Sequence, residues 1–357
     1  MKNKVTALIV TYRRPKFLKR AIQSVIDQSY SNIQISVFDD ASGDETKSIV
    51  EALSKKDERI SYYCHKENIG QFANFRYAFE SVETPYFSIL SDDDCISEDL
   101  YKNAVDVLDN NPNVMFVILN TLMIDENSNL KSHLESTGKL SFHEGIQGFD
   151  NFHSGKIPVT WTAMVFRKEL SDVYRNMDEK YDFGHDIRFL VNAVSKYEYA
   201  YLSKVGAFFT QHPQCSSLSI KKVDLVHQSV QISRYVEIFH DKSVKKDIRD
   251  RSIFYIKRLL NQKPNINQSI KDIIKNFIVY NDISNKLIIE NISDYNNAGY
   301  SKTSKFLNIL YSSKLAKFLV NIFFGWLYKR RISQDQLYMH SLQNGKYRKH
   351  FEYIKKN

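Results

Sequence analysis

Four short, mostly apolar runs, each followed by a segment of helical period, constrain the fold more than anything else in this chain. They are Val5–Val10, Ile33–Phe38, Ile60–Cys64 and Tyr86–Leu90, each five or six residues long. Taken together they are apolar rather than alternating, Gln34 and Ser36 of the second run being the exception, so both faces of the strands are expected to be covered. Between them, Phe17, Leu18, Ala21, Ile22, Val25 and Ile26 recur at helical spacing, Ile49, Val50 and Leu53 form a second stripe, and Phe72–Phe79 a third. This β-α-β-α-β-α-β rhythm predicts an α/β fold, a mostly parallel central sheet with helices on both faces. Ligands of such sheets sit beyond the carboxyl ends of the strands.

Those ends carry the polar residues. Val10 is followed by Thr11-Tyr12-Arg13-Arg14-Pro15, Phe38 by Asp39-Asp40-Ala41-Ser42-Gly43-Asp44, and Leu90 by Ser91-Asp92-Asp93-Asp94. Three successive carboxylates repel one another and are costly to bury unpaired. A hard divalent cation relieves the repulsion and in turn binds phosphate oxygens. The competing reading is a solvated acidic turn that caps the helix opening at Ser97-Glu98-Asp99. Three polar strand ends in one parallel sheet favour a single nucleotide-sized crevice.

Past Asn113 the rhythm loosens. Val114–Leu119, Trp161–Phe166 and Tyr199–Phe209 read as further strands, and residues 125–148 as loop. Tyr181-Asp182-Phe183-Gly184-His185-Asp186 is an acidic turn entering a helix that bears Phe189, Leu190 and Ala193, and Gln211-His212-Pro213 ends the last strand. Beyond about residue 220 only helical periods remain. Two parts are expected: 1–220, an α/β domain, and 221–357, mostly helical. Charge divides them the same way. Residues 221–357 carry 26 Lys/Arg against 11 Asp/Glu, a net of +15, while residues 1–220 carry 24 against 30, a net of −6. A basic part of this kind suits nucleic acid or an anionic membrane. Cys64, Cys95 and Cys215 are odd in number and widely spaced, as reduced thiols of a cytoplasmic protein are. No signal peptide and no run of 18 apolar residues is present, so neither secretion nor a spanning helix is expected. Leu315–Tyr328 is intensely apolar and closes on Lys329-Arg330-Arg331. It reads as an interfacial helix with basic flanks, or else as a helix buried in the C-terminal part or between copies of the chain.

Several of these motifs together resemble family 2 glycosyltransferases, the inverting class with the GT-A fold. The resemblance rests on residues 7–18, Ala21-Ile22-Gln23-Ser24-Val25, Gln28-Ser29-Tyr30, residues 38–46, Asn68-Ile69-Gly70 with Asn74, and Leu90-Ser91-Asp92-Asp93-Asp94. It implies that Thr11 and Tyr12 line the nucleotide base, that Asp40 accepts a hydrogen bond from the base, and that Asp39 shapes the turn, where a plain turn or cap is the alternative. It implies that Asp92 faces the ribose, and that Asp93 and Asp94 hold Mn²⁺ or Mg²⁺, with Asp94 foremost. Ser91 stands where many members carry an acid, which leaves the exact ligand open. Arg76 becomes a pyrophosphate contact or a plain surface arginine, and His212 a third group near the metal or a structural histidine. Gly184-His185-Asp186-Ile187-Arg188-Phe189 resembles the segment bearing the catalytic base. Asp186 is then that base and Asp182 its nearest rival, against the simpler reading of Asp186 as a helix N-cap. Trp161 is either core or a platform under the acceptor sugar.

The function implied is metal-dependent, inverting transfer of a sugar from a nucleotide-sugar donor to a glycan or lipid-linked acceptor hydroxyl. Bacterial surface polysaccharide of the O-antigen or capsule type is the setting, on the inner face of the membrane. A sugar-1-phosphate nucleotidyltransferase would want a glycine-rich basic loop after the first strand, and Thr11–Pro15 has no glycine. A nucleic-acid-binding protein would need a recognisable basic motif in the C-terminal part, which spreads its charge without one.

Overall fold

The structure, a computed structural model, describes residues 3–261 apart from 128, 132–135, 156, 178–183, 214–233 and 236. Asp182, Cys215 and the segment 315–331 lie outside the described residues.

The first four strands are β1 (Val5–Thr11), β2 (Ile33–Asp39), β3 (Ile60–Cys64) and β4 (Tyr86–Ser91), with helices α1 (Pro15–Ile26), α2 (Thr46–Ser54) and α3 (Gln71–Glu80) between them. Pro15 starts α1, where a missing N–H costs nothing, and Leu18, Ala21, Ile22 and Val25 form its buried face. The strands pair in parallel in the order β3-β2-β1-β4. The register sets Thr11 opposite Asp39 and Val10 opposite Ser91, so three strand ends finish level. The connections lead outward from β1 to β3 and then jump back across β1 to β4. The reversal lies between β1 and β4, the place where open α/β sheets hold ligands.

The rest of the sheet is mixed. After β4 come β5 (Cys95–Ile96), α4 (Leu100–Asn110), β6 (Val114–Asp125), β7 (Leu140–His143), α5 (Gly145–His153), a 3₁₀ turn (Trp161–Ala163), β8 (Met164–Arg167), α6 (Leu170–Arg175), α7 (His185–Lys196) and β9 (Glu198–Gln211). The sheet continues β4-β8-β6-β9-β5, with β7 also on β9. β8 runs antiparallel to both β4 and β6, and β6 and β9 pair in parallel. Buried aromatic rings tie these strands together along register partners. Phe87 stacks on Phe166, Phe166 on Phe116 and Phe116 on Tyr199, with centroids 5.2, 5.7 and 5.1 Å apart. Such pairs contribute roughly 0.5–1.5 kcal/mol each beyond their buried area. Gly206 is required on β9 because a Cβ there would stand 2.5 Å from Cβ of Leu119 on β6.

Three details differ from the sequence reading. The stretch 125–148 is not all loop: Leu140–His143 pairs with β9 and α5 begins at Gly145. Trp161 opens a 3₁₀ turn, with the strand starting only at Met164. The two-residue β5, too short for any periodicity to register, pairs Cys95 with Phe208. Among the described residues no helix is long and apolar enough to cross a membrane.

Candidate active site

The end of β4 delivers Asp92, Asp93 and Asp94 into the interior, each less than a tenth exposed. What surrounds them explains how three acids are kept there. Thr11 Oγ1 donates to Asp92 Oδ2 at 2.8 Å. Arg14 Nη1 lies 3.1 Å from Asp92 Oδ1 and 2.8 Å from Asp93 Oδ2. His212 Nε2 lies 3.0 Å from the same Asp93 oxygen. Asp94 accepts from Thr162 Oγ1 at 2.8 Å and from the Thr210 backbone N–H at 2.9 Å. Arg20, buried, donates through Nη2 to the Asp93 carbonyl and to Thr210 Oγ1, both at 2.7 Å. The acids follow the end of β4, Arg14 is the N-cap of α1 and Arg20 lies within that helix. The other donors come from the 3₁₀ turn and the end of β9.

The compensation is incomplete. Burial first, and then the charge of Asp93, push the pKa of Asp92 up to about 7. The same two causes raise Asp94 well above the usual carboxylate range. Nδ1 of His212 is buried with no hydrogen-bond partner. With Nε2 protonated toward Asp93, that nitrogen is left bare. A cluster short of positive charge, with hard oxygen donors and an imidazole beside it, fits a divalent cation. Among the described residues no three His, Cys, Asp or Glu side chains converge as a ready cage. The fit is therefore to an ion that takes one or two carboxylates and completes its shell from phosphate and water, as Mg²⁺ does.

At the end of β2, Asp39 is consumed by the turn. Its oxygens accept from the Ser42 N–H at 3.0 Å, Ser42 Oγ at 2.5 Å and Tyr62 Oη at 2.6 Å. Asp40 accepts from the backbone N–H of Ile69 at 2.7 Å and of Gly70 at 3.1 Å, which fixes the loop before α3. Each of its oxygens keeps a second lone pair. Tyr12 is partly exposed beside them, with the Arg13 guanidinium 5.0 Å from its ring centroid.

Asp186 stands half-buried in the first turn of α7, which begins at Gly184 in a left-handed conformation (φ 72°). That residue's neighbour His185 is buried, with Nδ1 2.8 Å from Tyr174 Oη and its ring against Phe75 and Trp161. Trp161 packs on Phe75 at 4.8 Å and is 9% exposed, so most of the ring is core. Thr162 reaches Asp94 while Trp161 touches His185, so the 3₁₀ turn contacts both the acidic cluster and the residue before Asp186. Arg234, buried, lies within electrostatic reach of Asp186; burial lowers its pKa and Asp186 raises it.

Arg76 is not brought to the cluster. Its Nη2 donates to the Met177 carbonyl at 2.6 Å and its guanidinium lies over Phe72. The arginines at the acids are Arg14 and Arg20, which the sequence reading passed over. A pair of cations flanking a proline directly after a strand was the available signal for Arg14. Arg20 lies on the buried side of α1, and nothing in the sequence marks its partners 73 and 190 residues away.

Residues 6–174 match the profile of the family described as "Glycosyl transferase family 2". A GalNAc(5)-diNAcBac-PP-undecaprenol beta-1,3-glucosyltransferase of Campylobacter jejuni is 28% identical over 191 residues, 53% of this chain and 59% of that protein. The chain thus spans little more than half the length of that relative. Staphylococcus aureus TarS 1–349, solved in complex with UDP-GlcNAc, superposes with a TM-score of 0.61 at 17% identity, covering 77% of this chain and 80% of that one. The mannosyltransferase PcManGT of Pyrobaculum calidifontis, in complex with GDP-Man and Mn²⁺, gives 0.53 at 13% identity over 90% of this chain and 88% of its own. At such identities these two likenesses establish the fold. Family match, curated relative and fold agree over the same part of the chain: residues 6–174 are similar to glycosyltransferase family 2.

Proposed function

We propose that the chain is an inverting glycosyltransferase that moves a sugar from a nucleotide-sugar donor to an acceptor hydroxyl. One observation carries this reading: a level row of strand-end acids, Asp39, Asp40 and Asp92–Asp94, at the reversal point of a parallel sheet.

Thr11 and Tyr12 border the base, and the second lone pairs of Asp40 are open to its N–H groups. Asp92, already tied to Thr11, faces the ribose. Asp93 and Asp94, with His212 beside them, would hold Mn²⁺ or Mg²⁺, which when bound neutralises the diphosphate as it leaves. Asp186 takes the acceptor hydroxyl's proton as that oxygen attacks the anomeric carbon from the face opposite the nucleotide. His185, the residue before Asp186, packs against Tyr174, Phe75 and Trp161, which anchors the start of α7. Bound nucleotide sugars in TarS and PcManGT, and Mn²⁺ in the latter, support the donor class and the ion. The undecaprenol-linked substrate named for the C. jejuni relative supports a polyprenol-diphosphate-linked glycan as acceptor. Peripheral attachment to the inner membrane face and a role in surface polysaccharide assembly follow from that acceptor.

The test is a donor panel. UDP-, GDP-, dTDP- and CDP-sugars are assayed for binding and slow hydrolysis with Mn²⁺ and with EDTA. Cation-dependent binding of one nucleotide class is expected, and no binding of any donor under either condition would refute the reading.

A further inference from the structure

We propose that Arg14 is the resident counter-ion of the acidic cluster: it neutralises Asp92 and Asp93 in the cation-free protein and must withdraw when a divalent cation binds. This rests on the reading of the cluster as a cation-dependent donor site.

The geometry is that of a charge placeholder. One nitrogen, Nη1, straddles two carboxylates at 3.1 and 2.8 Å. Arginine usually engages a single carboxylate with its planar fork, whereas straddling two acids is what a point charge does. The exposures say which partner moves. The Arg14 side chain is 23% exposed, against 6% for Asp92 and 10% for Asp93. The acids are pinned from behind by Thr11, by His212 and by Arg20 on the Asp93 carbonyl. Arg14 borders solvent at the N-cap of α1.

Its backbone is also held in a way that can be released. Arg13, the residue before it, is left-handed (φ 54°), a conformation that non-glycine residues adopt only when the surroundings enforce it. The enforcing group is Ser42: its Oγ accepts the Arg13 N–H at 2.8 Å, and its carbonyl accepts Arg13 Nε at 3.4 Å. Ser42 is in turn held by Asp39, and the residue before it, Ala41, is left-handed as well (φ 57°). A continuous chain of contacts thus runs from Asp39 through Ser42 and Arg13 to Arg14 and on to Asp92 and Asp93. The turn at the nucleotide end of the crevice sets where the counter-ion sits. A guanidinium and a divalent cation compete for the same oxygens, so removing the guanidinium should strengthen cation binding, the reverse of what loss of a merely structural residue does.

The test measures Mn²⁺ binding to the full chain without donor, by the EPR signal of free Mn²⁺, alongside melting in EDTA. R14M is expected to bind Mn²⁺ about 10-fold more tightly than wild type, within the usual range of coupling between sites. In EDTA it should melt lower than wild type, with Mn²⁺ restoring the loss. S42A should move both readouts in the same direction by less. Mn²⁺ binding by R14M no tighter than by wild type would overturn the proposal, as would an unchanged melt in EDTA. So would weakened binding of UDP- or GDP-sugars by R14M at unchanged Mn²⁺ affinity, which makes Arg14 a diphosphate ligand. If neither protein binds Mn²⁺, with or without such a sugar, the cation reading of the site fails and this proposal with it. Mn²⁺ binding by wild type only with donor, and untightened in R14M, defeats the counter-ion role alone. Should R14M not fold, R14Q and S42A carry the same comparison.

Discussion

The two halves of the sheet are built by different rules, and the site lies where they meet. In β3-β2-β1-β4 each strand is seven residues or fewer, the pairing is parallel and in step, and strands consecutive in the chain are joined by single helices. In β8-β6-β9 the strands pair with both senses, and β6 slips register against β9 around Leu119–Thr121. The aromatic ladder through Phe87, Phe166, Phe116 and Tyr199 fastens the second half to β4. The parallel half brings the acids; the mixed half brings Thr162, Thr210 and His212 to meet them. What the comparison teaches is that a local rhythm decides where the carboxylates stand, while distant partners decide how deeply and at what protonation cost they are buried.

The largest effect should come from a change that leaves both halves intact. Asp186→Asn keeps the size of the side chain and one acceptor oxygen but cannot take a proton. Turnover should fall by about 10²–10⁴-fold, the usual contribution of a general base, with donor affinity nearly unchanged. A near-normal rate would move the base elsewhere, Asp182 being the next to test.

Asp94→Ala attacks the seam itself. Removing one of three crowded charges would by itself stabilise the cation-free protein. The structure adds an opposing term, because Thr162 Oγ and the Thr210 N–H lose their acceptor, at about 1–3 kcal/mol for each buried group left unpaired. Relief of charge is outweighed, and a lower melting temperature is expected with the fold retained. Cation-dependent donor binding should disappear, and activity should drop by about 10²–10³-fold, as when one preorganised electrostatic group is deleted. A variant that melts higher than wild type would mean the two halves are not joined through this carboxylate.

The same comparison explains what could be read from the sequence. Thr11, Asp39, Asp40, Asp92, Asp93 and Asp94 were legible because a mostly apolar run followed by a polar cluster is a local pattern, and a parallel sheet then aligns the ends. Asp186 was legible as an acid at a helix start after a glycine. The donors were not, since Thr162 and Thr210 meet Asp94 across 68 and 116 residues. Periodicity puts Arg76 on a helix but does not say which way its long side chain leaves, and it turned to the Met177 carbonyl. β7 failed to register because its alternating Leu140, Ser141, Phe142 and His143 follow a polar stretch and pair only with a strand some 60 residues later.

Gly206→Val tests the mixed half without touching a charge. The new Cβ would meet Leu119 Cβ at 2.5 Å and Leu100 Cδ1 at 3.0 Å, neither of which is free to yield between two strands and α4. Overpacking of this kind typically costs about 1–3 kcal/mol. Ser97 N–H donates to the Gly206 carbonyl at 2.8 Å, so the strain falls directly on the segment after the acidic cluster. Chemical denaturation should show the loss, and hydrogen exchange should rise in β5, β6 and β9 before β1–β3. Uniform loss of protection across all nine strands would mean that the halves do not differ in local stability.

The smallest effect belongs to the parallel half, at an acid remote from the seam. Asp57 lies in the turn before β3 and accepts from the Arg59 N–H at 3.0 Å, from Nε at 2.9 Å and from Nη2 at 2.6 Å, while Nη2 also reaches the Ile26 carbonyl at 3.1 Å. These hydrogen bonds from Arg59 hold the carboxyl below its ordinary pKa, the opposite of what burial does to Asp92. The sign follows from linkage: a carboxylate whose folded pKa is depressed contributes stability above its unfolded pKa of about 3.9, and that contribution is lost as pH falls through the folded value. Both side chains are partly solvated, 14% and 23% exposed, so the pair should contribute only about 0.5–1 kcal/mol. Asp57→Asn should therefore melt slightly below wild type between about pH 5 and pH 8, and the two curves should converge below about pH 4. A difference that instead grew on acidification would mean that Asp57 is buried at a cost, as Asp92 is, and that local pairing does not protect the acids of the parallel half.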